Sequence, residues 1–161
     1  NIMKKKIFIL IIVVVVLQGL GLLFNVIDKQ YGDTIPKIVY QQNHDFNKLV
    51  YQNRVNNKYI SIKASYPDNI QKYILVYPTL DSIEKSIVKN WKPYLKKDNE
   101  VVIALKINAD GSKEYKFLGN TGIYTAANAA RTAVLAPKLI GDIIQKGDYV
   151  VLVYRFKVST N

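Results

Sequence analysis

The residues that could carry out chemistry in this chain are few and scattered. No cysteine occurs, which excludes disulfides, thiolate metal sites and a cysteine nucleophile. The chain also contains no HExxH motif, no Gly-rich phosphate loop and no serine within a nucleophile elbow. Its one histidine, His44, has no other His or Cys with which to complete a metal site. We therefore expect no catalytic residue, no cofactor, no metal and no small-molecule substrate.

Twelve carboxylate residues remain as candidate acids and bases. Those nearest the expected core are Glu100, Asp110, Asp142 and Asp148, and they lie at predicted strand ends and turns, where solvated or capping roles are usual. Residues 119–122 have the Gly-x-x-Gly spacing of a phosphate cradle or nucleic-acid clamp, but no basic residue flanks them directly. A helix entry explains this spacing better. The chain is therefore predicted not to be an enzyme, with a membrane-anchored hydrolase as a distant alternative.

The charge of the chain is strongly positive but dispersed. The formal net charge is +11, and lysine outnumbers arginine 20 to 3. Dispersed lysine suits solubility and weak attraction to anionic surfaces, whereas readout of phosphates or bases favours arginine forks and clustered patches. We therefore expect no nucleic-acid partner. With 161 residues, the chain has room for one core and an appendage.

An apolar segment near the amino end predicts a membrane anchor. Ile7–Ile27 contains no charged residue, and a helix of that length spans about 31 Å, enough for the hydrocarbon core of a bilayer. The alternative is a cleaved signal peptide, but its apolar region is usually shorter and ends in small residues. Lys4–Lys6 precede the segment, so the amino end is expected in the cytoplasm and the rest of the chain beyond the membrane. We assign residues 1–28 to a cytoplasmic stub and a single transmembrane helix in a bacterial inner membrane, with a periplasmic carboxy-terminal domain.

Three residues within that segment could form a helix contact in the membrane. They are Gln18, Gly19 and Gly21. Small residues permit close approach of two helices, and glutamine can hydrogen-bond across the contact. The alternative is that these residues merely tolerate lipid.

Residues 29–78 are predicted to form a polar tether followed by a small hairpin. An apolar cluster within residues 45–55 suggests a short helical turn. Residues 59–66 alternate as a strand does, and the Pro-Asp-Asn sequence at 67–69 is expected to turn the chain toward a second strand at 74–77.

The next predicted element is an amphipathic helix at Asp81–Trp91. Asp81 can cap its amino end, and Glu84 can complete a capping box three residues later. Trp91 ends the apolar stripe and is best explained as a core anchor. Pro93 stops the helix.

Glu100–Pro137 predicts a strand, a turn, a second strand and a helix. Alternate positions of Val101–Ile107 are apolar, which is the period of a strand with one buried face. Asp110–Gly111 suits the tight turn of a hairpin. Gly119–Gly122 is expected to break the second strand, and the Ala-rich helix over 123–136 can approach the sheet closely because its side chains are small.

This order of elements, followed by a last strand at Tyr149–Val158, resembles the carboxy-terminal domain of the TonB/TolA energy-transducer family. The most specific pieces are INADG at 107–111, GN at 119–120 and AANAA at 126–130. The likeness runs from about Asp81 to Val158. It implies an α+β domain at residues 79–161, with two helices on one face of a three-stranded antiparallel sheet.

In the resembled domains the last strand lies at or near a sheet edge. A partner peptide can add to such an edge as an extra strand. The partner-binding residues implied here are Tyr149, Val151, Val153, Arg155 and Lys157. The alternative is that the predicted hairpin at 59–77 covers this strand and occupies the edge.

The resemblance implies a protein that binds envelope proteins by strand addition. The partner would be an outer-membrane receptor or lipoprotein, and a proton-driven motor complex in the inner membrane would supply energy for transport. The membrane helix of such transducers typically carries a Ser and a His for the motor contact, whereas Ile7–Ile27 has neither. The alternative function is therefore a non-energised structural subunit of an envelope-spanning secretion, pilus or division assembly.

Overall fold

A computed structural model of the chain describes residues 45–68, 70, 80–139 and 149–160. All of these residues belong to one compact unit, Ile35–Asn161. Among them, no helix is both long enough and apolar enough to span a bilayer.

Several sequence predictions fall outside the described residues. The predicted membrane segment Ile7–Ile27, with its contact residues Gln18, Gly19 and Gly21, is one of them. The others are His44, the second strand expected at 74–77, and the carboxylates Asp142 and Asp148.

The described strands form a single antiparallel sheet in the order β1-β2-β5-β3-β4. The strands are β1 (Lys48–Val55), β2 (Lys58–Ser65), β3 (Asn99–Asn108), β4 (Lys113–Asn120) and β5 (Tyr149–Ser159). The predicted fold class, with a three-stranded sheet, is therefore wrong. The physical reason is that β2 pairs along β5, so residues 29–78, interpreted as a separate tether and hairpin region, add β1 and β2 to the same sheet.

β1 and β2 form a hairpin joined by two residues, Asn56 and Asn57. Their φ angles are 49° and 61°, which is the left-handed conformation that a tight hairpin turn requires and that asparagine tolerates better than most residues. The short helical turn predicted within residues 45–55 is wrong. Turn chemistry and pairing with β2 override the helical spacing of the apolar residues there.

Two helices, α1 (Leu80–Asn90) and α2 (Tyr124–Leu135), pack on the same face of the sheet. Ile83 and Ile87 from α1 and Ala130 and Ala133 from α2 are almost fully buried in that layer. The sheet contributes the alternate residues of its central strands. These are Ile60, Ile62, Ala64, Val101, Ile103, Leu105, Ile107, Val150, Leu152, Tyr154, Phe156 and Val158.

Trp91 anchors the end of α1 in this core, as predicted. It is 7% exposed, and its ring centroid lies 5.3 Å from that of Phe156. Burying a large apolar side chain contributes about 1.5–3 kcal/mol, and a tilted aromatic pair adds to that. The contact fixes the carboxyl end of α1 over the middle of the sheet.

The capping box predicted for α1 is wrong. Asp81 lies inside the first turn, where it forms an ion pair of 2.7 Å with Lys85. Glu84 is 8% exposed and points into the core, where it accepts a hydrogen bond from Tyr66. Because the helix already begins at Leu80, Asp81 is not at the N-cap position that a capping box requires.

The β3–β4 connection confirms the predicted turn at Gly111, whose φ is 84°. The break predicted over 119–122 comes later than expected, because β4 continues to Asn120. Gly122, whose φ is 75°, then redirects the chain into α2. α2 ends at Leu135, just before Pro137. Lys113 donates hydrogen bonds to the carbonyl oxygens of Leu135 and Pro137, and burial lowers the pKa of its ammonium group.

Candidate partner-binding site

The strand predicted to offer an open edge, β5, lies at the centre of the sheet. It pairs with β2 on one side and with β3 on the other, so that Phe156 stands opposite both Ile62 and Val101. Its N–H and C=O groups are therefore engaged by neighbouring strands along most of its length. An open edge at β5 is not present. The alternative, a hairpin over residues 59–77 that covers this strand, is correct only in its first strand, because β2 pairs with β5 but forms its hairpin with β1, and residues 74–77 lie outside the described residues.

The predicted residues of β5 share the sheet face that points away from the helices. They are Tyr149, Val151, Val153, Arg155 and Lys157, which alternate with the buried residues on the helix side. The structure thus brings them together on a surface, which we call the helix-free face, but not on an edge.

Contacts on the helix-free face leave its centre well shielded. Val153 is 4% exposed and packs with Ala104. The guanidinium of Arg155 lies 4.1 Å from the ring centroid of Phe46, and the ammonium of Lys106 lies 4.9 Å from that of Tyr149. These cation–π contacts tie the cations to the protein itself.

The outer strands of the sheet are β1 and β4. Within the described residues, no strand pairs with the outer edge of β1. An edge of this kind presents backbone donors and acceptors to any extended segment that can approach it. Within the described residues the same is true of β4, and we take β1 as the candidate edge because the apolar groove described below borders β1.

The usable part of this edge is Tyr51–Val55. In a hairpin with a two-residue turn, the flanking residues Val55 and Lys58 form a hydrogen-bonded pair, so the backbone groups of Arg54 and Gln52 point outward. The N–H of Arg54 donates to Oδ1 of Asn53 at 2.7 Å. A register shift between Leu49 and Tyr51 interrupts the regular ladder. We call Tyr51–Val55 the β1 edge.

An apolar groove of about 360 Å³ lies beside the β1 edge on the helix side. Side chains from β1, β2, the end of α1 and the segment after it line the groove. They are Tyr51, Val55, Ile60, Val88, Trp91, Lys92, Pro93 and Leu95. α1 ends at Asn90, so no further turn of α1 itself covers this end of the β1–β2 hairpin. An extended segment along β1 would lie next to the groove.

A buried polar cluster holds α1 against the β1–β2 hairpin. The hydroxyl of Tyr66 donates to Glu84 at 2.8 Å and lies 3.3 Å from the hydroxyl of Tyr154. The ammonium of Lys48 reaches the same carboxylate at 3.3 Å. Burial raises the pKa of both tyrosines above the usual value. The cluster joins β1, α1, β5 and Tyr66, which directly follows β2, and none of its residues lines the groove.

The other residues singled out from the sequence have structural roles. Asp110 accepts hydrogen bonds from the hydroxyl and the N–H of Ser112, and these bonds lower the pKa of its carboxyl. Glu100 lies 3.7 Å from the guanidinium of Arg155. The side chain of Asn120 accepts the N–H of Gly122 at 2.7 Å. Among the described residues, no three of His, Cys, Asp and Glu gather in a way that could hold a metal ion.

The β1 edge is the feature that the sequence interpretation missed. A signal for it exists, because Asn56-Asn57 between two runs of alternating character is typical of a two-residue hairpin. The groove has no local signal, because its walls come from residues as distant as Tyr51 and Leu95.

Comparisons with known proteins found no match, so the function proposed below is based on the geometry of the sheet and the groove. No protein-family model matches the chain, and no curated protein and no solved structure matches it either. The resemblance to the TonB/TolA family stays a prediction from the sequence motifs.

Proposed function

We propose that this protein is a non-catalytic binding module of the cell envelope. In this proposal the apolar run at residues 7–27 holds the chain at the bacterial inner membrane, and the α+β domain faces the periplasm. The domain binds an extended segment of another envelope protein by adding it as a sixth strand beside β1. The observation that carries the proposal is the β1 edge, which no described strand covers.

The sequence of β1 suits specific addition better than indiscriminate aggregation. A register irregularity and the charged residues Lys48 and Arg54 are devices that discourage unselected pairing along an edge. They leave the short regular stretch Tyr51–Val55 as the place where a partner strand can dock. Each backbone hydrogen bond there would contribute about 0.5–1.5 kcal/mol, and contacts of alternate side chains would supply selectivity.

Selection of peptides from a random twelve-residue display library on the full chain tests this proposal. The selected peptides are expected to share an alternating apolar and polar pattern, as an added strand requires. A Gln52→Pro variant removes an outward N–H without removing a bond to β2, and it should weaken binding at least about tenfold. Gln52→Ala keeps that N–H and serves as the matched control.

The outcome that contradicts the proposal is equally specific. If peptides bind the Gln52→Pro variant as tightly as Gln52→Ala, while both variants keep the circular dichroism spectrum of the parent chain, then the β1 edge is not the binding site.

A second candidate function is a structural subunit of an envelope-spanning assembly that receives no energy from a motor. The observation that favours it is the absence of Ser and His from residues 7–27. Photocrosslinking from Gln18 in intact cells distinguishes a binding module that is driven by a motor from this structural subunit. Crosslinks to proton-channel subunits would support energy transduction, whereas crosslinks to lipid alone would support the structural role.

A further inference from the structure

The groove beside the β1 edge has an apolar floor and one lining lysine, Lys92, and we call the lysine-rich segment around Lys92, residues 89–97, the rim. Partly buried apolar side chains, among them Val88 and Leu95, line it together with the nearly buried indole of Trp91. A concave apolar surface of this size accepts a large side chain better than it accepts water.

Four lysines lie on the segment that forms one wall of the groove. They are Lys89, Lys92, Lys96 and Lys97, and all four are exposed. Residues 89–97 contain no acidic residue, so their formal charge is +4. The first carboxylate after them, Asp98, is engaged by Lys58 and Thr160. Within the described part of the chain, none of the four lysines has an anionic partner.

Resting on the proposed strand addition at β1, we infer that the groove binds one large apolar side chain of the incoming strand, and that the lysines bind acidic residues flanking it. The partner is thus an extended acidic peptide with an aromatic or large aliphatic anchor. The anchor supplies affinity through burial, and the acidic residues select the partner and steer its approach.

The alternation of side chains along β1 predicts that the anchor of an added strand would point to the helix side, where the groove lies. Tyr51 and Val55 both line the groove and lie two strand periods apart, on the helix side of β1. Directly opposite residues of paired antiparallel strands share a face, so a residue added across from Asn53 points to the same side. A single anchor opposite Asn53 would therefore be centred on the groove, and its neighbours would point to the helix-free side.

The shape and composition of this surface favour a peptide over other anionic partners. A membrane surface is broad and cannot enter a groove between a strand and a helix end. Nucleic-acid readout uses exposed aromatic rings and arginine forks, whereas Trp91 is 7% exposed and the four rim cations are all lysine. An extended peptide can pair with the β1 edge, fill the groove and contact the lysines of the rim at the same time.

Fluorescence anisotropy with the full chain in detergent micelles tests the inference. The probe is a fluorescein-labelled peptide, Asp-Thr-Val-Thr-Phe-Thr-Val-Thr-Glu, with blocked ends. Replacing its Phe by Ala should weaken binding about tenfold or more, because the anchor contacts are lost. Replacing its Asp and Glu by Asn and Gln should weaken binding about fivefold at low salt and less at high salt.

Protein variants provide the reciprocal measurements. Val88→Gln puts a polar amide in the groove and should match the loss caused by the Phe-to-Ala peptide. Lys92→Glu should weaken binding of the acidic probe more than that of the neutral one. Lys63→Glu carries the same charge change at an exposed position opposite Arg155 on the helix-free face, so it is the matched control and should change affinity less than about twofold. The peptide substitutions leave the protein unaltered, so they decide the matter even if Val88→Gln does not fold.

The possible outcomes distinguish this inference from the proposal on which it rests. If Gln52→Pro abolishes binding but the Phe-to-Ala peptide binds as well as the parent, strand addition stands and the groove inference is overturned. If the probe binds equally to Gln52→Pro and Gln52→Ala, strand addition itself fails. Absence of binding at about 1 mM probe, or displacement of the probe by anionic lipid vesicles but not by neutral ones, also overturns the inference.

Discussion

The most informative single residues are those of the buried cluster formed by Tyr66, Glu84 and Tyr154. An ionised carboxylate with a side-chain exposure of 11% is destabilising unless it is paired, and here a hydroxyl and the ammonium of Lys48 pair with it. None of these residues shows a pattern in the sequence that predicts their meeting. Their contacts join α1 to β1, to β5 and to the segment after β2.

Removing the hydroxyl of Tyr66 should lower stability. We expect Tyr66→Phe to reduce the free energy of unfolding by about 1 kcal/mol, because Glu84 loses a buried hydrogen-bond donor. Urea unfolding of the full chain, followed through the fluorescence of its one tryptophan, measures the change. Tyr59→Phe is the control, since Tyr59 is 49% exposed and its substitution should have little effect. Equal midpoints for the two variants would show that the cluster is not stabilising.

The lowered pKa of Asp98 predicts that the fold loses stability in acid. The hydrogen bond from Lys58, followed by those from Thr160, lowers the pKa of the Asp98 carboxyl from 3.8 to about 2. A group whose pKa is lower in the folded state stabilises the fold above its unfolded pKa, and that contribution disappears as the pH falls through the folded value. The urea midpoint should therefore decrease between about pH 4 and about pH 2, and it should decrease less in Asp98→Asn. Parallel pH profiles for the two proteins would contradict this assignment.

At the scale of elements, the hairpin β1–β2 depends on its two asparagines. Asn56 and Asn57 both have positive φ, which β-branched residues adopt only at a cost. This turn sets the register of β1 on β2, and it therefore aligns the outer strand β1 with the rest of the sheet.

Substitutions at Asn57 should separate turn geometry from side-chain contacts. We expect Asn57→Val to destabilise the fold by about 1–2 kcal/mol, and Asn57→Gly to be neutral or slightly stabilising, because glycine adopts positive φ without strain. Thermal unfolding monitored by circular dichroism measures both. A glycine variant as unstable as the valine variant would mean that the asparagine side chain, not its backbone conformation, is what matters.

The helices illustrate a different balance of local and tertiary effects. The alanines of α2 were expected to permit close packing, and Ala126, Ala130 and Ala133 are indeed buried against the sheet. For α1, the apolar stripe predicted the buried face correctly, but the carboxylate of Glu84 lies on that face as well. A hydrophobic pattern identifies the side that faces the core, but it does not reveal which polar groups find partners there.

At the scale of the whole molecule, the sheet is continuous across the boundary predicted between residues 29–78 and 79–161. β2 supplies Ile60, Ile62 and Ala64 to the same core as β5, and its backbone pairs with β5 from Tyr59 to Ser65. Without the β1–β2 hairpin, residues 79–161 would expose the side of β5 that pairs with β2 and part of the core.

Fragments test this dependence directly. We expect residues 79–161 alone to lack a cooperative unfolding transition, and residues 45–161 to retain one, because the core and the β5 ladder are completed only by β1 and β2. Urea unfolding and the dispersion of amide resonances compare the two. Cooperative unfolding of 79–161 at the midpoint of the longer fragment would show that the predicted boundary is a true domain boundary.

What the sequence determined by itself was local. The alternation of Val101–Ile107, the turn at Gly111, the helices over most of their lengths and the burial of Trp91 follow from side-chain period, positive φ and apolar surface, which neighbouring residues encode. Only the tertiary structure decided which strand lies beside which. Backbone hydrogen-bonding groups are the same in every strand, so a sequence pattern can assign the face of β5 but cannot choose its neighbours. The position of β2 against β5 closed the predicted edge, and it left β1 and β4 as the outer strands, of which β1 borders the groove.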